Sequence, residues 1–218
     1  HMILDPRDSK TILMAAQTKT HGPMIFKSTD FGMNWVPVKS PPKFSTSKKV
    51  AHIYRLTPGH ESEVNVWYAG TSPQGLFKSE DFGDSWQEVS GFNNHPQIDK
   101  WCGNSVSSTL KYEKIHSIMV HPQNTCSLII GMASGGVFES MDGGESWTSM
   151  NEGLLTTEIK DSLGRDPHLV VQHPMDPSRI YQQNQSGIFR LDVGSRIWKH
   201  IGAAIDMGDI GFSLCVHP

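Results

Sequence analysis

Four of the acidic residues in two long polar stretches of the chain have the side chains that are best suited to acid–base chemistry. The stretches cover residues 91–112 and 151–168, and the four residues are Asp99, Glu158, Asp161 and Asp166. Hydrolysis of a glycoside needs two carboxyl groups, about 5–5.5 Å apart in retaining enzymes and about 6.5–9.5 Å apart in inverting enzymes. These four are therefore the candidate catalytic residues, and only the fold can bring two of them together.

Histidine, tryptophan and amide side chains in these stretches and in nearby turns can bind a ligand without catalysing a reaction. The indole of Trp101 offers a flat apolar face to a sugar ring, and imidazole and amide groups can hydrogen-bond to hydroxyl groups. Ordinary solvated loops have a similar composition, so that alternative stays open. No His-x-His or His-x-x-x-His pair occurs, so no metal site and no cofactor are predicted. The candidate ligand-binding residues are His21, His95, Trp101, His116, His168, Gln183 and Asn184.

Aspartate also recurs in a box with three ungapped copies, at residues 26–35, 77–86 and 138–147, which share the pattern Ser-x-Asp-x-Gly-x-x-Trp. A fourth copy at 189–198 lacks the Ser and has its Asp-x-Gly one residue early. Asp can accept hydrogen bonds from turn amides, Gly can adopt a positive φ, and Trp adds apolar area. Calcium binding or catalysis is the alternative, but a residue needed in every repeat serves the repeat. The predicted structural residues are Ser28, Asp30, Gly32, Trp35, Ser79, Asp81, Gly83, Trp86, Ser140, Asp142, Gly144, Trp147, Asp192, Gly194 and Trp198.

The elements that must position these residues follow from a second repeated pattern. Upstream of each box, an apolar run ends at a proline, and a polar turn and a second apolar run come next. Proline ends a strand because it cannot donate a ladder hydrogen bond, and no segment keeps a helical period of apolar residues. Each unit is therefore predicted to contain four strands, A to D, with strand C ending at the Phe of the box and strand D beginning near its Trp.

Repeated four-stranded antiparallel units of this length are typical of β-propeller blades. The box tryptophans at positions 35, 86, 147 and 198 are separated by 51, 61 and 51 residues. The predicted fold is all-β, a propeller of about four blades plus one extra strand. The blades are predicted at approximately residues 3–40, 50–92, 115–152 and 168–204, and the orphan strand at 211–218.

The box resembles the Asp-box, also called the bacterial neuraminidase repeat (BNR), and the resemblance covers essentially the whole chain. Sialidases, xyloglucan-active glycoside hydrolases and sortilin-type receptors carry such boxes. The sequence is most similar to bacterial BNR-repeat proteins described as sialidase-like or glycosyl-hydrolase-like. The resemblance implies a partial propeller in which the boxes form the C–D turns on one face. The D–A and B–C connections then gather on the opposite face, where a ligand site is expected.

Sialidase activity is not favoured by this sequence. The resemblance implies an arginine cluster, a tyrosine nucleophile and a Phe/Tyr-Arg-Ile-Pro motif before the first box. The nearest string here, residues 54–58, has one residue too many and follows the first box. We therefore expect a non-catalytic module that binds a glycan or a protein on the D–A/B–C face. A glycoside hydrolase that uses the loop carboxylates and a scaffold or assembly factor are the alternatives.

The composition excludes several other classes. The 218 residues carry a net charge of -3 and no basic block, which disfavours nucleic-acid binding. No apolar run approaches the roughly 20 residues of a membrane helix, so a soluble protein is expected, in a compartment that the sequence does not indicate. The cysteines Cys102, Cys126 and Cys215 form no Cys-x-x-Cys pair, so neither a zinc knuckle nor a disulfide framework is predicted.

Four blades make an open arc, and an open arc exposes strand edges and blade faces that favour association. Self-association or further blades are therefore expected to complete the ring.

Overall fold

Four antiparallel sheets of four strands each follow one another along the chain. The computed structural model describes residues 1–101, 113–154, 166–192, 194–201 and 211–217. Within each sheet the strands pair in the order in which they occur in the sequence. This confirms the all-β prediction of repeated four-stranded antiparallel units. We call the sheets blades 1 to 4 and keep the letters A to D for their strands.

The strands have the following bounds. Blade 1 contains β1 (Met2–Leu4), β2 (Ile12–Thr18), β3 (Gly22–Ser28) and β4 (Val36–Pro37). Blade 2 contains β5 (His52–Pro58), β6 (Trp67–Ser72), β7 (Gly75–Ser79) and β8 (Gln87–Glu88). Blade 3 contains β9 (Ile115–His121), β10 (Asn124–Met132), β11 (Gly136–Ser140) and β12 (Thr148–Ser149). Blade 4 contains β13 (Pro167–Gln172), β14 (Ile180–Asn184), β15 (Gly187–Leu191) and β16 (Lys199–His200).

Two helices of four residues each, α1 (Ser90–Asn93) and α2 (Ile98–Trp101), follow blade 2. Neither of these described helices has the length and apolar character needed to cross a membrane.

The hydrophobic core is divided into three clusters, each of which lies between two consecutive blades. Between blades 1 and 2, side chains such as Leu13 and Ile25 pack against Trp67, Phe77 and Trp86. Consecutive strand residues point to opposite sides of a sheet, so an inner blade contributes to a cluster on each of its faces. The next cluster includes Tyr68, Leu76, Val89, Leu128, Ile130, Phe138 and Trp147, and the last includes Ile129, Val137, Met150, Val170, Ile180, Phe189 and Trp198.

The first box forms a tight turn that its own side chains hold together. The Ser28 hydroxyl donates to Asp30 Oδ1 at 2.8 Å and accepts the Gly32 amide at 2.8 Å. Asp30 Oδ1 also accepts the Asn34 amide at 2.9 Å. The hydrogen bonds from Asn34, together with that from Ser28, lower the pKa of Asp30 to about 2. Gly32 has a φ of 84°, the left-handed conformation that this turn requires.

The second and third boxes repeat these bonds around Asp81 and Asp142. Their tryptophans are buried, and the indole N–H groups of Trp86 and Trp147 each donate to a box carbonyl at 3.0 Å. The fourth box is different, because Asp192 is ion-paired with Arg190 at 2.7 Å.

The described part of the stretch expected to form an orphan strand, residues 211–217, has no regular secondary structure. A strand needs a partner to complete its hydrogen bonds, and none of the described sheets includes these residues.

Candidate functional site

The A strands of blades 2, 3 and 4 each contain a β-bulge at the same position. The bulge residues are Tyr54 in β5, His116 in β9 and His168 in β13, which we call the bulge rings. All three lie opposite the end of strand B, so they are next to the B–C turns and far from the boxes. Bulges re-aim side chains and are common beside functional sites. Three bulges at equivalent positions of neighbouring A strands, each with an aromatic or imidazole ring, therefore define the candidate site on the D–A/B–C face.

Tyr54 is the accessible ring of blade 2, with 38% of its surface exposed. The Lys114 Nζ atom lies 4.8 Å from the centre of the Tyr54 ring, within the range of a cation–π contact. The His52 ring meets it edge-on, with centroids 5.8 Å apart. Tyr54 therefore presents an aromatic surface with a cation already beside it.

His168 is in contact with the segment that follows blade 4. Its Nδ1–H group donates to the carbonyl oxygen of Gly211 at 2.6 Å. Its ring stacks on Phe212 with centroids 4.5 Å apart and planes inclined by 17°. Phe212 is 74% exposed, so the stack is open to solvent.

His116 is the least accessible of the bulge rings. Its Nδ1 atom lies 2.9 Å from Ser117 Oγ, whereas its buried Nε2 atom has no well-aligned hydrogen-bond partner in the described part of the chain. Burial lowers the pKa of His116 to about 3, and the neighbouring positive charges of Lys114, His168 and Arg55 act in the same direction. His116 is therefore neutral at physiological pH.

Arg55, the residue after the first bulge ring, adds a cation to this side of the site. Its Nε atom is buried and makes no hydrogen bond to any described residue, and burial lowers its pKa. A buried N–H group without an acceptor is unfavourable. Together with Lys114, Arg55 makes the site attractive to an anionic or aromatic group.

Asp166, one of the four candidate catalytic residues, is held by two turns. Its Oδ1 atom accepts the Ser134 amide at 2.9 Å, and its Oδ2 atom accepts Gln185 Nε2 at 3.3 Å. The carboxylate therefore joins the B–C turn of blade 3 to that of blade 4. Glu158 and Asp161 lie outside the described residues.

Asp99 is exposed on α2, and its charge acts on a carboxyl group that sequence reasoning missed. Glu113 is buried, and burial raises its pKa; the positive charge of Lys48 opposes this effect, and the negative charge of Asp99 adds to it. A carboxyl group with a raised pKa is a candidate general acid. No spacing pattern marks Glu113, because the residues that precede it carry no recognisable motif.

Trp101 and His95 lie together in a stack of aromatic rings. The Trp101 ring centroid is 4.0 Å from that of His95 and 4.4 Å from that of Phe138, a core residue of blade 3. The indole thus packs against the cluster between blades 2 and 3 and is half-buried.

The remaining candidate ligand residues are spread over two blades. His21 is exposed in the β2–β3 turn of blade 1, where its Nδ1 atom lies 2.8 Å from Thr20 Oγ1. Gln183 Nε2 donates to the carbonyls of Asn184 and Gly187, and Asn184 Oδ1 accepts the Ser186 amide, so both amides support the B–C turn of blade 4. The structure therefore brings His116 and His168 to equivalent positions and leaves His21 in another blade.

No group of three or more potential metal ligands occurs among the described residues.

Tyr54 and Phe212 are functional candidates that sequence reasoning missed. The signal for Phe212 is a spacing, because His116, His168 and Phe212 each stand six residues before a proline. Tyr54 stands only four residues before Pro58, so the same spacing does not reveal it.

No protein-family model and no curated protein matches the chain. Solved structures do match. A GH74 enzyme of Niastella koreensis matches with a TM-score of 0.61 and 22% identity, and the aligned region covers 91% of this chain and 29% of the enzyme's chain. The GH74 xyloglucanase of Xanthomonas campestris has a TM-score of 0.64 and 15% identity, with coverage of 91% and 30%.

A structure of YCF48 bound to a D1 peptide has a TM-score of 0.54 and 12% identity, and it covers 91% of this chain and 57% of its own. The chain thus spans less than a third of the GH74 chains and just over half of YCF48. At these identities the likeness shows the fold alone, and that fold is a β-propeller, of which this chain forms a part.

Proposed function

We propose that the chain is a non-catalytic binding module whose ligand, a segment of another protein, contacts the bulge rings on the D–A/B–C face. The contact between His168 and residues 211–212 supports this most directly. There the imidazole donates to a backbone carbonyl and stacks on the next side chain. This is how a peptide with an aromatic residue would be held, and the chain's own tail supplies the example.

The other groups of the site suit the same kind of ligand. Tyr54 offers a second ring at the equivalent place in blade 2, and Lys114 and Arg55 offer charges to a carboxylate. Aromatic side chains are enriched where proteins bind each other because they bury a large area. Among similar folds, the YCF48 structure contains a bound peptide, which supports a protein partner.

A peptide phage-display library is a suitable probe because the partner is unidentified. We expect the protein to select peptides that carry an aromatic residue near an acidic one. Tyr54→Ala and Lys114→Ala should each weaken binding of a selected peptide, whereas Met141→Ala, on the opposite face, should not. The proposal fails if no peptide is enriched, or if binding is unchanged in both variants.

Xyloglucan oligosaccharides serve as the second probe in the same experiment. Binding that is lost in Tyr54→Ala without any peptide binding would assign the site to a glycan and refute the protein ligand.

A glycoside hydrolase is the second candidate, and Glu113 is the observation that favours it. Its raised pKa suits a general acid, and the negative charge of Asp99 acts on it. Release of reducing sugar from xyloglucan is the assay. If turnover is present and is abolished in Glu113→Gln and in Asp99→Asn, the chain is an enzyme and the non-catalytic proposal is wrong.

A further inference from the structure

The side of each blade that faces the preceding blade carries the phenylalanine and the tryptophan of the box in all four blades. We call it the leading face. In blades 2, 3 and 4 the box phenylalanines and tryptophans on this face are buried by the blade before them. In blade 1 the corresponding residues are only half-buried, because none of the described blades covers them. The leading face of blade 1 consists of Ile12, Met14, Phe26 and Trp35.

The opposite side, which we call the trailing face, shows the same contrast at blade 4. Val38, Val89 and Met150 each follow strand D, donate a backbone hydrogen bond to strand C, and are at most 8% exposed. Ile201 makes the same bond, to Ile188, yet it is 39% exposed. The trailing face of blade 4 consists of Tyr181, Ile188 and Ile201.

These two faces fit each other because the chain already joins such faces three times. At each internal contact the trailing face of one blade covers the leading face of the next with aliphatic and aromatic side chains. The leading face of blade 1 and the trailing face of blade 4 are the two halves of a fourth contact of the same kind. Apolar area of this sort is favourably removed from water.

The charges across such a contact are also compatible. At two internal contacts an ion pair joins strand C of one blade to the box of the next blade. The pairs are Lys27 with Asp84 and Glu139 with Arg196, and in each pair the box residue stands two positions before the box tryptophan. The corresponding residues on the two uncovered faces are Arg190 and Met33. Met33 is 81% exposed and carries no charge, so no like charges would meet.

We propose that a second copy of this chain covers both faces, with the leading face of each copy on the trailing face of the other. The contact is head-to-tail, and such contacts form closed rings when the rotation closes. Two copies supply eight blades, which is within the range of known propellers. The inference goes beyond the ligand site, since none of the face residues belongs to the bulge rings.

The segment at residues 211–217 lies where the first strand of a second copy would arrive. Phe212 stands six residues before a proline, as His116 and His168 do, and it stacks on His168. The second copy must therefore displace this segment. Deleting residues 211–218 should strengthen the association.

Light scattering after size exclusion, over a concentration series, measures the association. The mass of the unmodified chain should rise to twice 24.2 kDa. Met14→Lys on the leading face and Ile188→Lys on the trailing face should each give a monomer, and Met141→Lys on a box turn should not. An equimolar mixture of Met14→Lys and Ile188→Lys should dimerise again, because one unmodified contact remains possible between them.

Circular dichroism and the melting temperature show that each variant is folded before its mass is interpreted. A folded unmodified chain that stays monomeric up to millimolar concentration refutes the proposal. A dimer that survives both substitutions, or a mixture that stays monomeric, also refutes it. Loss of association after deletion of residues 211–218 would show that the tail, and not the face, makes the contact.

Discussion

Gln182 is a buried amide that has no partner in the described part of the chain, and replacing it by methionine should stabilise the protein. Its side chain is fully buried, and neither its Nε2 nor its Oε1 atom has a hydrogen-bond partner among the described residues. The strand register shows that Ala69 and Ile130 hold the same place in blades 2 and 3. A polar group thus lies in a contact that is apolar in the other blades.

The magnitude follows from the cost of an unsatisfied amide. Burying such a group without a partner costs about 1–3 kcal/mol, and replacement by an apolar group of the same shape removes that cost. Methionine has nearly the volume and flexibility of glutamine, so packing should change little. We expect Gln182→Met to raise the free energy of unfolding by about 1–2 kcal/mol. In a chain of this length that corresponds to a rise in melting temperature of about 2–8 °C.

Gln183→Met is the matched control. Gln183 is the next residue of the same strand and is also buried, but its Nε2 atom donates to the carbonyls of Asn184 and Gly187. Its replacement should destabilise the protein by about 1 kcal/mol or more, because these bonds are lost. Urea titration measures both changes in the free energy of unfolding, provided that its slope against urea concentration is the same in all variants. If Gln182→Met destabilises the protein as much as Gln183→Met, the Gln182 amide has a partner such as a buried water, and the reasoning is wrong.

Three further predictions concern the boxes, the pH dependence and the open arc. Asp81→Ala should lower the free energy of unfolding in urea by about 1–3 kcal/mol, because the turn amides and hydroxyls that it accepts lose their acceptor; an unchanged midpoint would contradict this. His116 stays neutral in the folded chain but takes up a proton in the unfolded chain below about pH 6.5, so stability should fall as the pH drops from there towards its folded pKa of about 3. His116→Gln should flatten that dependence in urea titrations at several pH values, and an equally steep dependence in the variant would refute the assignment. Trp147→Ala should destabilise the protein by about 3–5 kcal/mol, whereas Trp35→Ala should cost less because Trp35 is only half-buried; equal losses in calorimetry would show that the two tryptophans are equally covered and would refute this prediction.

The fold could be predicted from the sequence because its determinants are local and repeated. The box brings its own acceptor, hydroxyl, glycine and tryptophan, and the proline at the end of strand A marks the strand limit. These signals lie within about ten residues of each other, so one repeat can be compared directly with the next.

The candidate site was only partly predictable because a bulge leaves no mark in the sequence. The sequence marks His116 and His168 as polar residues near one face, but no pattern in it shows that they hold equivalent positions. In blade 2 the distance from the bulge to the proline is two residues shorter, which hides Tyr54. Glu113 is recognisable only through burial, which depends on packing far away in the sequence.

The division of the core between neighbouring blades has a consequence for how the protein unfolds. Each core cluster is shared by two blades, so a single blade has little stability by itself. The stability of the chain is therefore approximately a sum over the contacts between neighbouring blades. Blades 2 and 3 are covered on both faces, whereas blades 1 and 4 are covered on one. Amide protons in the middle of the chain should therefore exchange more slowly with solvent than those at its ends, and unfolding should proceed inward from the first and last blades.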